Sequence, residues 1–311
     1  MNQSRIALAA IAIVIPLAML ATVYTGGQAQ QASQEKEKIT LVASFYPLYE
    51  FASRVGGDRA EVLSLVPAGI EPHDWEPTSR DALKVRSADM LVLNGAGFES
   101  WADDMEAKVV VDTSQGIELE HEEEEEVEED GHGHEGGTNP HIWLDPVLAK
   151  HQVEKIREAL VNADPENADY YNGTAAEFAA ELDSLDAFIQ LELDNCEKSD
   201  FIAFHDAFAH FAKRYGLTQH SIHGVSPEGE ILPQRMQQVI ELANELDIDV
   251  VYSEDLIDSR LADTIAGEIG GRVLVLSPIE GIDQEEQELG IGYIDKMEQN
   301  VANLKVGLEC R

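Results

Sequence analysis

Short runs of consecutive apolar residues alternate along most of the chain with segments of helical period. The runs at 39–44 (ITLVAS), 62–66, 90–94 (MLVLN) and 109–112 (VVVD) predict strands, and helices are predicted over 48–56 and 80–86. A run that is apolar at every position marks a strand buried on both faces, as in a parallel sheet covered by helices. Residues 165–195 follow a different rhythm. Phe178, Leu182, Leu185, Phe188, Ile189 and Leu193 recur at helical spacing, predicting one helix too long for the inside of a small lobe. The alternation then restarts, with strands at 201–204, 218–222, 249–253 and 273–276 and helices at 207–215, 232–246, 259–269 and 293–308. The pattern predicts an α/β protein of two lobes, each a mainly parallel sheet flanked by helices, joined by one long rigid helix. The lobes are expected at 39–164 and 196–311, with 165–195 connecting them.

Two segments break this order. Residues 1–38 open with Arg5 and an almost unbroken apolar run over 6–24, followed by a Gln/Ser/Glu-rich spacer. They read as a signal peptide or membrane anchor, which puts the rest of the chain outside the cytoplasm, secreted or tethered to the membrane through this segment. No cysteine follows the run, so bacterial-style lipidation there is excluded. Residues 118–137 are rich in Glu and Gly and carry His121, His132 and His134, with almost nothing to bury; a disordered surface loop is expected.

Length and charge narrow the function. The 311 residues exceed one ordinary domain, in keeping with two lobes. Sixty acidic against 21 basic residues give a net charge of −39, a surface that repels nucleic acid and anionic lipid head groups. Such a surface attracts cations without selecting among them, and adaptation to a salty medium accounts for it equally well. The two cysteines, Cys196 and Cys310, are a possible disulfide in an oxidising compartment and are too few and too far apart for a cysteine-based zinc site.

Three of the ten histidines sit where a strand ends: His73 in GIEPHDWEP, His141 in NPHIWLDP and His205 directly after FIAF. In open α/β sheets the carboxyl ends of the strands form the ligand crevice, so three distant histidines can converge there. Taken singly, each is more often a hydrogen-bonded structural residue. Their shared placement, with Pro beside His73 and His141 to stiffen the loops, points to metal. Neutral imidazole is a good zinc ligand, and three leave a fourth position for a carboxylate or water. His210, five positions after His205, reads as packing or surface; His220 and His223 are candidates for a supporting role behind the ligands. The histidines of 118–137 are expected to form an auxiliary metal loop, imidazole suiting zinc, copper, nickel and iron, with a merely solvated acidic loop as the alternative.

The segments ITLVASFYPLYEFASRVGGD, GIEPHDWEPTSRD, NPHIWLDP, FHDAFAHFAKRYGL, VSPEGE and VLVLSPIEG, in this order, resemble the extracytoplasmic solute-binding proteins of zinc- and manganese-transporting ABC systems. The resemblance spans residues 39–308. It implies two α/β lobes bridged by a rigid helix, a divalent metal held between them as cargo, and delivery to an ABC-transporter permease by a monomer that is not an enzyme. Carried over by position, it implies His73, His141 and His205 as ligands. A histidine at 205, where manganese members tend to have a carboxylate, favours Zn2+ over Mn2+, as does the His- and acid-rich loop. Many members have Asp where this chain has Ser277, so the fourth ligand does not transfer. Water and Glu280 are the two candidates, and Glu254 and Asp255 lie further off. Two other readings stay open: a zinc metalloenzyme with a three-histidine site, and a manganese-binding or adhesin-type member of the same family.

Overall fold

The computed structural model describes residues 38–119, 138–229 and 231–311. Residues 1–37, and with them the apolar run at 6–24, lie outside the described residues, as do His121, His132 and His134. Among the described residues no helix is long and apolar enough to cross a membrane.

Two four-stranded sheets, each wholly parallel, repeat one winding. In the first the order is β2 (Ala60–Ser64), β1 (Ile39–Ala43), β3 (Met90–Leu93), β4 (Val110–Asp112). In the second it is β6 (Thr218–Ser221), β5 (Asp200–Ala203), β7 (Val250–Ser253), β8 (Arg272–Val275). The central strands β3 and β7 are buried along their whole length, as their unbroken apolar runs require. The edge strands are not: β2 alternates buried and exposed, and β6 and β8 keep partial contact with solvent. This explains a shift of β2 from the predicted 62–66. Register with β1 pairs Ile39 with Ala60, while the apolar Leu65 and Val66 lie past the strand, buried where the chain turns inward.

In the first lobe the helices are α1 (Tyr46–Gly56), α2 (Ser79–Ser87) and α3 (Pro146–Ala163). A capping box between Thr78 and Asp81 starts α2. Helix α3 is absent from the sequence reading although its signals are present. Asp145 accepts from the backbone N–H groups of Val147 and Leu148, Pro146 stands in the first turn, and Ala149, Val153, Ile156 and Leu160 make the buried stripe. The predicted connecting helix is α4 (Ala168–Leu193), entered through a 3-10 turn at Pro165–Asn167. At about 1.5 Å per residue it spans roughly 39 Å, and it buries Tyr171, Ala175, Phe178, Leu182, Leu185, Ile189 and Leu193. The second lobe adds α5 (Ala209–Tyr215), α6 (Pro233–Glu245), α7 (Arg260–Ile269), α8 (Gln284–Leu289) and α9 (Tyr293–Gly307). Cys196, just past α4, is joined to Cys310, just past α9.

One apolar cluster runs from Leu41 and Phe51 in the first lobe through Phe178 of α4 to Met297 and Leu304 of α9. Separate clusters cover the outer faces of the two sheets, around Leu91 in one lobe and Val251 in the other. Bonds cross between the lobes as well: Trp143 Nε1 donates to Pro278 O at 2.7 Å, Tyr293 Oη to Trp143 O at 2.6 Å, and Gly69 N to Ile282 O at 2.9 Å. The carboxyl ends of both sheets therefore face each other across a cleft whose walls are fixed by a common core.

Candidate metal centre

Each of four segments that leave the strand ends brings one side chain to the cleft. His73 comes from the β2–α2 loop, His141 from the segment between β4 and α3, His205 from the residues after β5, and Glu280 from the turn after β8. Their donor atoms lie within 4.8 Å of one another. The Nε2 of His141 is 3.3 Å from that of His73 and 3.1 Å from that of His205. Glu280 Oε1 is 3.1 Å from His73 Nε2, 3.3 Å from His141 Nε2 and 3.4 Å from His205 Nε2.

These separations can be tested against a metal. A tetrahedron with ligand bonds of about 2.0–2.1 Å has edges of about 3.3–3.4 Å. Five edges of the set run from 3.1 to 3.4 Å. The sixth, between His73 and His205, is bounded at 4.8 Å, so five edges suit a tetrahedral zinc ion on a donor set of three imidazoles and one carboxylate, and completing the figure draws those two rings together. His141, His205 and Glu280 have almost no solvent contact, and only His73, with 10 % of its side chain exposed, offers a way in.

The outer partners fix which nitrogen faces inward. Asn139 Oδ1 accepts from the backbone N–H of His141 at 3.1 Å and lies 2.8 Å from His141 Nδ1. An oxygen that already accepts a backbone donor requires Nδ1 to carry its proton, which leaves Nε2 with a lone pair aimed at the cleft. Glu254 fixes the Nδ1 proton of His205: its Oε1 accepts from the backbone N–H at 3.2 Å and sits 2.5 Å from Nδ1. This is a carboxylate behind a histidine, the arrangement that orients metal-binding imidazoles. Around them Phe98 and Trp143 stand against the rings, with centroids 4.9 Å from His73 and 5.0 Å from His141.

Electrostatics separates the two buried histidines. Burial depresses His141 to about 3, so its ring is neutral. Burial works against the charged form of His205 too, but the Glu254 and Glu280 carboxylates win and raise it to about 10. Burial disfavours the charged form of Glu280, and His205 and the hydrogen bonds from three imidazoles hold it well below the usual carboxylate range. Glu254 moves upward because burial outweighs its imidazole partner.

Of the sequence candidates, the geometry brings together His73, His141, His205 and Glu280, and it moves the others elsewhere. Glu254 lies behind His205. Asp255 accepts from Ser277 Oγ at 2.7 Å and from the buried Lys296, so its charge is already engaged. Ser277 is a turn residue. Its Oγ also accepts from Ile279 N at 3.1 Å, holding buried Ile279 at a φ of 56°, a left-handed conformation costly for a β-branched residue, so that the next side chain, Glu280, turns inward. His220 pairs with Asp200 at 2.9 Å, and His223 stacks on Phe204 with centroids 4.8 Å apart. His210, expected to be packing or surface, donates from Nε2 to Asn139 O at 2.9 Å. The sequence reading missed Asn139 altogether, although an Asn two residues ahead of a histidine is placed to bond its backbone.

Known proteins resemble the chain over most of its length. Residues 41–307 match the family model described as ZnuA, zinc-uptake complex component A, periplasmic. The high-affinity zinc uptake system protein ZnuA of Bacillus subtilis is 40% identical over 288 residues, covering 89% of this chain and 90% of its own length. The zinc-binding protein AdcA of Streptococcus pyogenes serotype M3 is 32% identical over 307 residues, 92% of this chain; the chain spans 60% of that longer relative. Among solved structures, the Zn(II)-bound ZnuA-like domain of Streptococcus pneumoniae AdcA superposes with a TM-score of 0.76 at 32% identity, over 88% of this chain and all of that one. The chain belongs to the family of ZnuA zinc-uptake proteins.

Proposed function

We propose that this protein captures zinc outside the cytoplasm and delivers it to the membrane permease of an ABC transporter, with His73, His141, His205 and Glu280 as its ligands. The observation that carries this reading is the donor set itself: four atoms within 4.8 Å of one another, each from a different loop, meeting in a cleft between two lobes. A catalytic zinc keeps one position open for water, whereas a set of four protein donors leaves none, which supports cargo over catalysis. Glu280 takes the position that the sequence divided between a carboxylate and water. A cleft site reached past His73 suits an ion that must leave again. The lobes fall at 39–164 and 196–311, the segment 165–195 bridges them, and residues 1–38 export or tether the chain. His121, His132 and His134 act as a weaker collecting site.

Titration of the exported chain with zinc against a competing chelator, beside His73→Ala, His141→Ala, His205→Ala and Glu280→Ala variants, tests the ligand set. Each variant should lose more than the roughly 10–100-fold typical of removing an outer partner. Parental affinity in any one of them removes that residue from the set. Failure of the parent to bind a single zinc tightly ends the proposal.

A further inference from the structure

Asn139 does more than orient one ring. Its Oδ1 is committed to His141, at the backbone N–H and at Nδ1. With the oxygen accepting there, the amide orientation is settled, and Nδ2 donates to Asp206 O at 2.7 Å. Asp206 follows His205 directly and belongs to the other lobe. The backbone oxygen of Asn139 accepts in turn from His210 Nε2 at 2.9 Å, on α5 of that same lobe. Asn139 is buried, with 4% of its surface exposed, so water does not compete for these bonds. One residue thus holds the tautomer of a ligand from the first lobe and ties down the backbone beside a ligand from the second.

We propose that Asn139 is a positioning residue that sets the rate of zinc release, because His141 and His205 can separate only after its bonds to Asp206 and His210 break. The inference rests on the ligand set given above. His141 and His205 bring their Nε2 atoms to 3.1 Å, a hydrogen bond that is lost once zinc displaces the proton between them, so the surrounding chain must keep the two segments together. Asn139 supplies the enforcement. Its side chain donates to the main-chain oxygen of Asp206 and its own main-chain oxygen accepts from the His210 ring, so the clamp does not itself touch the metal.

The test uses Asn139→Asp, Asn139→Ala and His210→Phe in the exported chain, with three measurements: the zinc dissociation rate into excess chelator, the visible spectrum of the Co2+-loaded protein, and the melting temperature without metal. Asn139→Asp keeps the acceptor for His141 but loses the donor to Asp206 O and sets a carboxylate 3.4 Å from the Asp206 side chain. It should speed release about tenfold, within the range for outer partners, while the intense tetrahedral Co2+ bands persist. Asn139→Ala should release faster still and alter the bands, since His141 loses its tautomer lock. His210→Phe, which removes only the bond to Asn139 O, should raise the rate by a smaller factor and keeps the test alive if the buried substitutions fail to fold. Release within twofold of the parent in the folded variants, or a lower melting temperature with an unchanged rate, overturns the proposal. The parent protein and the ligand-to-alanine variants report separately on the ligand set, so loss of that reading would not be confused with failure of this one.

Discussion

A change of pH probes the centre most directly, because its two buried histidines are driven in opposite directions. His141, at about 3, has no proton on Nε2 to lose at neutral pH. His205, raised to about 10 by Glu254 and Glu280 against the effect of burial, keeps a proton that zinc must displace from Nε2. The sign follows: protons compete with the ion, so affinity rises with pH up to the His205 value and falls as pH drops below it. Three ordinary imidazoles would predict loss only below roughly 6.5 and a flat response above. The structure predicts a slope where they predict none. Between pH 9 and 7.5 a group titrating near 10 weakens binding about 30-fold, or about 2 kcal/mol, whereas one titrating near 6.5 changes it by about a tenth.

Calorimetry at pH 8 in buffers of differing ionisation enthalpy reads this as a proton count. About one proton should leave per zinc bound. Glu254→Gln should lower the count toward zero while zinc still binds, because the amide accepts from Nδ1 but no longer stabilises an imidazolium. A count of zero in the parent, with constant affinity between pH 7.5 and 9, would falsify the assignment of a retained proton to His205.

Other perturbations separate the site from its scaffold. Reducing the Cys196–Cys310 bond, which closes a separation of 114 residues, should cost about 2–5 kcal/mol in denaturant unfolding. Zinc affinity should stay unchanged, since Cys196 precedes β5 whereas His205 follows its far end. Phe178→Ala should destabilise by about 3–5 kcal/mol, read as a lower denaturation midpoint, because this fully buried ring packs on Phe51 in the core common to both lobes. Alanine at His121, His132 and His134 together should leave the tight site intact and abolish additional weaker zinc, as counted by equilibrium dialysis.

The sequence made much of this legible, for reasons that also explain its gaps. Apolar runs such as Met90–Leu93 are local signals, and their alternation with helices forces a parallel sheet; strand ends then locate the crevice. Strand ends single out three histidines, but they do not rank the carboxylates Glu280, Glu254 and Asp255. Glu254 follows β7 as directly as His205 follows β5 and Glu280 lies five residues past β8, yet only the folded chain separates ligand from supporter. Helix α3 is not legible in a strand–helix alternation, which leaves no room for two successive helices, although Asp145–Pro146 announces one. Asn139 stayed hidden because its importance lies in what it reaches, 67 residues away, and no period encodes that.

The charges explain how such a cleft stays closed over a doubly charged ion and also survives without one. Burying an unpaired charge costs several kcal/mol even after relaxation. Two carboxylates, Glu280 and Glu254, face the centre through His205, one from each side of the ring. Without metal, the proton on His205 offsets one of them. With zinc bound and that proton expelled, the dication and the two carboxylates sum to zero. On the proposed ligand set, an ion would enter a place already shaped and charged for it, which favours tight capture, and would exchange for a proton on leaving. A permease that opened the cleft to water would restore that proton and weaken the hold at the same step. Release should then be faster in acid than the opening of the lobes alone can account for.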